Sequence, residues 1–380
     1  METQLKDIIR ITEDPAEMRE VARAIVAAMP EKYTGKVMDE IAASVRKRMP
    51  AATEAEAGDA MLATIYHYWV YGSTYDEYFY YGFARKTHAE KLEYMAFRVR
   101  LLYMDHLNPK EEKHLLFNKY ETYRLFPEYY KRDVIRCASE ADWDVFRAFT
   151  DKHPDFVVKP TDMSGGRGVR KDSVAGMDAA QKRAFFGELL AEGAANREKY
   201  RRGWESSVVL EELIDQADEL AVFHPQSVNG VRVPTVNVGG RIQVYQPWFK
   251  VGRGGNFLTS AVFGTLDAGI DAETGIIDTA GMNETDEVFD AHPDSHIPFV
   301  GFQIPRWKEL VEMAKECAAR LPKFGYIGWD FVLTKHDGWC VMEGNYSGDF
   351  MWQLYRKKGM KKEFEELIGW KLDKQFWWEA

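Results

Sequence analysis

Cysteine is scarce in this chain. Its three thiols, Cys137, Cys317 and Cys340, are scattered over 380 residues without a Cys-x-x-Cys pair, so neither a disulfide framework nor a zinc site is indicated. Long apolar runs are missing too: none reaches the roughly 18 residues of a membrane span. Met1 to Arg10 shows no basic-then-apolar signal pattern. Positive charge is in deficit, with 50 Lys and Arg against 60 Asp and Glu and a formal net charge of −10, which argues against non-specific nucleic-acid binding. No internal repeat, low-complexity run or long flexible linker occurs, which predicts closely apposed domains. Together these absences predict a soluble, reduced, cytoplasmic protein with no nucleic-acid partner and no membrane insertion. A homodimer fits its size class.

Core-forming residues are plentiful. With 46% hydrophobic and 14% aromatic residues the chain is not disordered, and its length leaves room for two or three domains. Residues 1 to 112 read mainly as helices, as in Ala16 to Met29 and Lys36 to Arg48, where apolar residues recur at three and four. Ten aromatics lie between Tyr66 and Phe83, and an aromatic helical core is preferred there over a sugar-stacking platform. From residue 130 onward strands dominate: Phe156 to Lys159, Val208 to Leu213, Val231 to Val238 and Arg241 to Trp248, the last two joined by the turn pair Gly239-Gly240. Asp178 to Ala194, Arg306 to Leu321 and Lys361 to Trp370 have helical periodicity.

The most informative stretch is Asp155-Phe-Val-Val-Lys-Pro160 followed by Ser164-Gly-Gly-Arg-Gly-Val169. An apolar strand ending in Lys159 delivers one positive charge to its exit. The glycines then allow positive φ and an exposed row of N–H groups. A lysine beside such donors suits phosphate oxygens. The P-loop is excluded because its lysine follows the glycines, and the dinucleotide fingerprint is absent because Val169-Arg170-Lys171 reads as strand rather than helix. A glycine hairpin without a ligand is the alternative reading.

A second constellation lies near the C-terminus. Gly325 to Leu333 and Gly338 to Asn345 are apolar strand patterns around His336-Asp337-Gly338. If Asp337 and Gly338 form a two-residue turn, Asp330 stands opposite Asn345, with Glu343 on the same face. Two carboxylates and an amide oxygen form an all-oxygen cluster suited to Mg²⁺ or Mn²⁺ held together with substrate phosphates. The flanking Ile327, Trp329, Phe331, Val341 and Met342 point to burial, where uncompensated acids are unfavourable.

Lysine before a glycine loop, then Asp…Glu-x-Asn on a late hairpin, resembles the ATP-grasp superfamily. Ser73-Thr-Tyr-Asp-Glu-Tyr-Phe-Tyr-Tyr-Gly-Phe83, Leu115-Leu-Phe-Asn-Lys-Tyr120, Ser227-Val-Asn-Gly-Val-Arg-Val-Pro-Thr235 and Asp271-Ala-Glu-Thr-Gly275 look like the sugar-transfer-associated ATP-grasp proteins, over residues 70 to 350. The resemblance implies an α+β fold in which two α+β lobes clasp ATP, here with a mainly helical N-terminal module in place of the usual Rossmann-like domain. The expected layout is a helical module at 1–112, a first lobe with the glycine loop at 113–213, and a second lobe with the metal hairpin and C-terminal helix at 214–380.

Carried onto this chain, the resemblance implies that Lys119 and Lys159 contact ATP phosphates. The loop through Ser164, Gly165, Gly166 and Gly168 would cover the β/γ end. Glu211 or Glu212, with Leu213 and Ile214, would lie beside adenine, and Glu219 would bind ribose. Arg232, with Lys159, would neutralise the transferring phosphoryl group, while Asp330, Glu343 and Asn345 would hold one or two Mg²⁺. Arg253 and Asn256 are candidates for the acceptor substrate, although Gly252 to Asn256 also reads as a plain loop after a strand. The implied activity is an ADP-forming carboxylate–amine ligase working through an acyl phosphate, in natural-product or cell-surface polysaccharide biosynthesis. A small-molecule kinase on the same fold and a non-catalytic nucleotide-binding partner of a biosynthetic complex are the alternatives.

Overall fold

The computed structural model describes residues 6–200, 206–259, 264–348 and 350–379. The chain divides into two compact units, Met1–Leu107 with Phe350–Ala380, and Asn108–Asp349. In the first unit, local capping starts the helices. Asp14 accepts from the N–H groups of Ala16 and Glu17 to begin Pro15–Ala28, and the Thr53/Glu56 box begins Glu54–Tyr71. Gly72, at φ 73°, closes the latter, and a Cβ there would stand 2.9 Å from Arg98 Cβ. Tyr66, Tyr71, Tyr78, Tyr81 and Phe83 are buried, so half of the ten aromatics of this segment belong to the core.

The C-terminal segment corrects the expected layout. Residues 350–380 belong with the N-terminal helices rather than with a second lobe. Gln353 exchanges bonds with the Met95 backbone at 2.8 and 3.2 Å, and Tyr103 donates to Glu365 at 2.6 Å. The indoles of Trp377 and Trp378 donate to the carbonyls of Tyr68 and Trp69. A short apolar helix cannot show in sequence which core it will complete.

The second unit carries the strands: β1 (Val134–Cys137), β2 (Asp155–Pro160), β3 (Arg170–Ser173), β4 (Val208–Glu212), β5 (Gly230–Val238), β6 (Arg241–Val244), β7 (Trp248–Val251), β8 (Leu266–Gly269), β9 (Gly281–Met282), β10 (Val288–Phe289), β11 (Tyr326–Thr334) and β12 (Gly338–Asn345). Among the described residues they form two antiparallel sheets. One runs β1-β4-β2-β3; the other runs β10-β9-β8-β7-β5-β11-β12, with β6 on β5. Phe156, Val158, Val208 and Leu210 pack beneath helices Trp143–Lys152 and Ala179–Tyr200 through Phe146, Phe149, Phe186 and Leu189. The larger sheet buries Val231, Val233, Phe249, Trp329 and Phe331 against helix Trp307–Ala319. One face of each sheet is thereby covered, and alternate residues are left for the other.

Two local expectations are corrected. The predicted strand from Arg241 to Trp248 is two strands, because Gln246 takes φ 49° and Pro247 follows, so Trp248 begins β7. The hairpin turn is longer than an Asp-Gly pair: Thr334 pairs with Gly338 across Lys335, His336 and Asp337, and the Thr334 hydroxyl accepts from Asp337 N–H at 3.1 Å. The Gly239-Gly240 turn does form, with both φ values positive, 60° and 87°. Among the described residues, no helix is long and apolar enough to cross a membrane.

Candidate functional site

Strand register assembles the site. A break after Asp330 leaves Met342 as an extra residue in β12, so Asp330 pairs with Glu343 while Gly328 faces Asn345. The expected pairing of Asp330 with Asn345 is thus corrected by one bulge and one longer turn. The even spacing of Glu343 and Asn345 still keeps all three side chains on one face. Arg232 on β5 pairs with Asp330, and Lys250 on β7 lies two residues from Trp248, the partner of Arg232, hence on that face as well.

The charges are arranged in contact. Arg232 forks onto Asp330, with Nη2 2.8 Å from Oδ2 and Nε donating to Oδ1, and Lys250 Nζ lies 3.6 Å from Oδ2. Burial opposes ionisation of Asp330, but the two cations hold its carboxyl at about 2. Asn345 Nδ2 donates to Glu343 Oε1 and Gly328 O, both at 3.2 Å, and sits 3.5 Å from Asp330 Oδ2. A half-turn of that amide replaces its donor by an oxygen, which completes the donor set a hard divalent cation requires. Asp330, Glu343 and Asn345 therefore fit such an ion chemically.

The smaller sheet contributes a second cationic group. Lys159 and Glu211 lie on the face of β2 and β4 away from the helices, with Nζ 2.9 Å from Glu211 Oε2. Arg132 meets the same oxygen through Nε and Nη2, at 3.0 and 2.7 Å. Burial works against the Glu211 charge, yet Lys159 and Arg132 hold its carboxyl at about 2. Lys119 opens helix Lys119–Leu125 behind the Asn118 cap, and its ammonium donates to the Met163 carbonyl. Burial lowers its pKa, and the charges acting on it include Glu343, Lys159, Glu211 and Asp162.

The glycine loop joins these strands. Gly165, Gly166 and Gly168 take φ values of 69°, 73° and 73°, and Val169 N–H closes onto Gly166 O at 3.2 Å. A Cβ on Gly168 would come within 2.7 Å of Pro160 Cγ, so the return to β3 requires glycine. Ser164 accepts from Arg167 Nε through its carbonyl.

Not every predicted residue joins the constellation. Glu211 is engaged by two cations, and Glu212 points to the opposite face, where it accepts Asp133 N–H at 3.0 Å. Leu213 and Ile214 follow the end of β4, with Leu213 37% exposed. Glu219 is exposed on a short helix and lies in the field of Arg306. Arg253 donates to Gly264 O at 2.7 Å and stacks 5.1 Å from the Phe289 ring centroid, and Asn256 Nδ2 bonds Arg253 O. His224, which is not among the predicted residues, is buried in a chain through Ser227 and Asn229.

Two residues escaped the sequence reading. Lys250 left a faint trace as the one charge in the apolar strand Trp248-Phe-Lys-Val251. Arg132 left none, because Tyr130-Lys-Arg-Asp133 reads as a polar surface turn.

Comparison with known proteins places the chain. Residues 98–367 match the model of the family described as sugar-transfer associated ATP-grasp, and the chain belongs to that family. No curated protein matches it in sequence. Among solved structures it is similar to an L-amino acid ligase from Bacillus licheniformis, at 15% identity over 65% of this chain and 50% of that one, with a TM-score of 0.36. It is similar to D-alanyl-alanine synthetase A from Vibrio cholerae, at 14% identity over 66% of this chain and 60% of that one, TM-score 0.37. It is also similar to a biotin carboxylase from Campylobacter jejuni, at 11% identity over 73% of this chain and 52% of that one, TM-score 0.44. The match thus spans between half and two thirds of those longer chains.

Proposed function

We propose that this family member is an ADP-forming ligase that joins a carboxylate to an amine through an acyl phosphate. The observation that carries the reading is the convergence of Lys119, Lys159, Arg232 and Lys250 on the carboxylates of Asp330, Glu343 and Glu211. In the proposed reaction a carboxylate oxygen attacks the γ-phosphorus of ATP, the β,γ-bridging P–O bond breaks and ADP leaves. The amine then attacks the acyl carbon, phosphate leaves, and the proton from nitrogen passes to solvent. Such a step asks the protein for alignment and neutralisation of oxygen charge rather than for a nucleophile.

Lys119 and Lys159 bind the phosphate chain, and Arg232 with Lys250 meets the transferring group. Leu213 and Ile214 supply the backbone beside adenine, with Glu219 toward the ribose. The loop from Ser164 to Gly168 covers the β/γ end and excludes water that would hydrolyse the mixed anhydride. Asp330, Glu343 and Asn345 would hold Mg²⁺ or Mn²⁺, which when bound neutralises phosphate oxygens. Arg253 and Asn256 border the acceptor side. The setting proposed for this chemistry is cell-surface polysaccharide or natural-product assembly in the cytoplasm; a family described as sugar-transfer associated supports the first of these.

The test is ADP release from Mg-ATP with pooled acids, with and without pooled amines, each mixture read by mass spectrometry. A product weighing acid plus amine less water is expected. A single acceptor gaining one phosphoryl group would make the protein a kinase, and tight ATP binding without turnover would make it a binding partner.

A further inference from the structure

We propose that Arg132 is a positioning residue that leaves Lys159 a net positive charge to offer the nucleotide, by sharing Glu211 with it and tying the lysine-bearing sheet to the strand that carries Glu343. This rests on the proposed nucleotide role of Lys159. Arg132 lies just before β1, and its side chain is 4% exposed. Two of its N–H groups meet Glu211 Oε2, at 3.0 and 2.7 Å. Nη1 donates to the carbonyls of Tyr130 at 3.1 Å and Val341 at 2.7 Å. Its donors are thus divided between the two sheets, because Glu211 is on β4 and Val341 on β12, two residues before Glu343.

The charge count explains why a second cation is needed. Lys159 facing Glu211 alone would form a neutral, inward-drawn ion pair with little attraction left for phosphate. Arg132 adds a cation, so two positive groups share one carboxylate and a single net positive charge remains. Of the three side chains, Lys159 is the most exposed, at 13% against 4% for each of the others, so that charge is offered where a ligand reaches it. The planar fork of arginine satisfies Glu211 and Val341 together, which the point charge of lysine cannot do. A merely structural Arg132 would alter stability without discriminating between ligands with and without phosphates.

The test is titration of ATP and of adenosine into the wild type, Arg132→Met, Arg132→Lys, the double variant R132M/E211Q and Lys159→Ala, with thermal melts to establish folding. Arg132→Met should weaken ATP by about tenfold or more while adenosine stays within about twofold, the pattern of a lost charge contact. The double variant should recover most of the ATP affinity, because Lys159 no longer faces an unshared carboxylate. Equal loss for both ligands, unchanged ATP affinity, or no recovery in the double variant would overturn the inference. Should Arg132→Met not fold, Arg132→Lys decides: selective loss of ATP supports the role, and unchanged ATP affinity refutes it. If Lys159→Ala binds ATP as tightly as wild type, the nucleotide reading itself fails and this proposal with it. A selective loss in Lys159→Ala without one at Arg132 sinks the proposal alone.

Discussion

Glu211 and Glu212 are consecutive in β4 and carry the same charge, and the pleat sends them to opposite faces. Glu211, with its side chain 4% exposed, is enclosed by Lys159 and Arg132. Glu212, with its side chain 37% exposed, joins Asp133 and His153 in a cluster whose ligand atoms lie within 4.8 Å of one another. There Lys152 Nζ stands 2.6 Å from Asp133 Oδ2 and offsets one of the two carboxylate charges, while Glu212 accepts Asp133 N–H and closes the corner before β1. Both faces bring a glutamate together with cationic partners. Their surroundings differ: solvent screens the Glu212 group, whereas the buried charges around Glu211 act on one another with much less screening. Position on the pleat, more than residue type, separates a structural acid from one that tunes a site.

Four experiments would break or sharpen that contrast. The largest effect is expected at the hairpin of β11 and β12, where Glu343→Gln should cut turnover by about two orders of magnitude or more, with the melting temperature little changed. An unchanged rate of ADP release would detach the hairpin from the chemistry. Next, Lys159→Ala should weaken a non-hydrolysable ATP analogue by about tenfold or more, while Glu212→Gln stays within about twofold. Equal losses in the two variants would erase the distinction between the faces.

The third experiment concerns acid. Glu211 and Asp330 are held at about 2, below their ordinary values of 4.5 and 3.8. A depressed folded-state pKa stabilises the protein above the ordinary value, and that stability is lost as pH falls toward the folded one. Melting temperature should therefore drop between pH 4.5 and 2, and Glu211→Gln should flatten that limb where Glu212→Gln does not. An acid limb that is unaltered in Glu211→Gln would mean that other carboxylates carry it. The smallest effect is the stability change in Glu212→Gln, at most about 1 kcal/mol for an exposed pair. A denaturant titration showing several times that loss would place Glu212 among the buried charges.

Much of the candidate site's local structure was legible because its devices are short-range. A strand ending in Lys159, glycines that accept positive φ, and Glu-x-Asn on one side of a strand are short-range patterns. Four features were not legible: the Met342 bulge, the three-residue turn closed by Thr334, the strand break at Gln246, and the docking of residues 350–380 on the N-terminal helices. Each depends on a partner distant in sequence or on a competition between turn geometries. Arg132 shows the limit most clearly, since its neighbours in sequence are polar and its burial comes from β4 and β12.

Sequence alone determined which strands would carry charge and which alternate residues would share a face, because side-chain direction along a strand follows from backbone geometry. It determined the glycine loop as well, because only glycine tolerates the φ values that the return to β3 imposes. Tertiary structure decided which carboxylate meets which cation: the pairing of Asp330 with Glu343, the fork of Arg232, and the sharing of Glu211 between Lys159 and Arg132. Coulomb interactions depend on distance through space and on how much water remains between the charges, and neither is set until the sheets have packed.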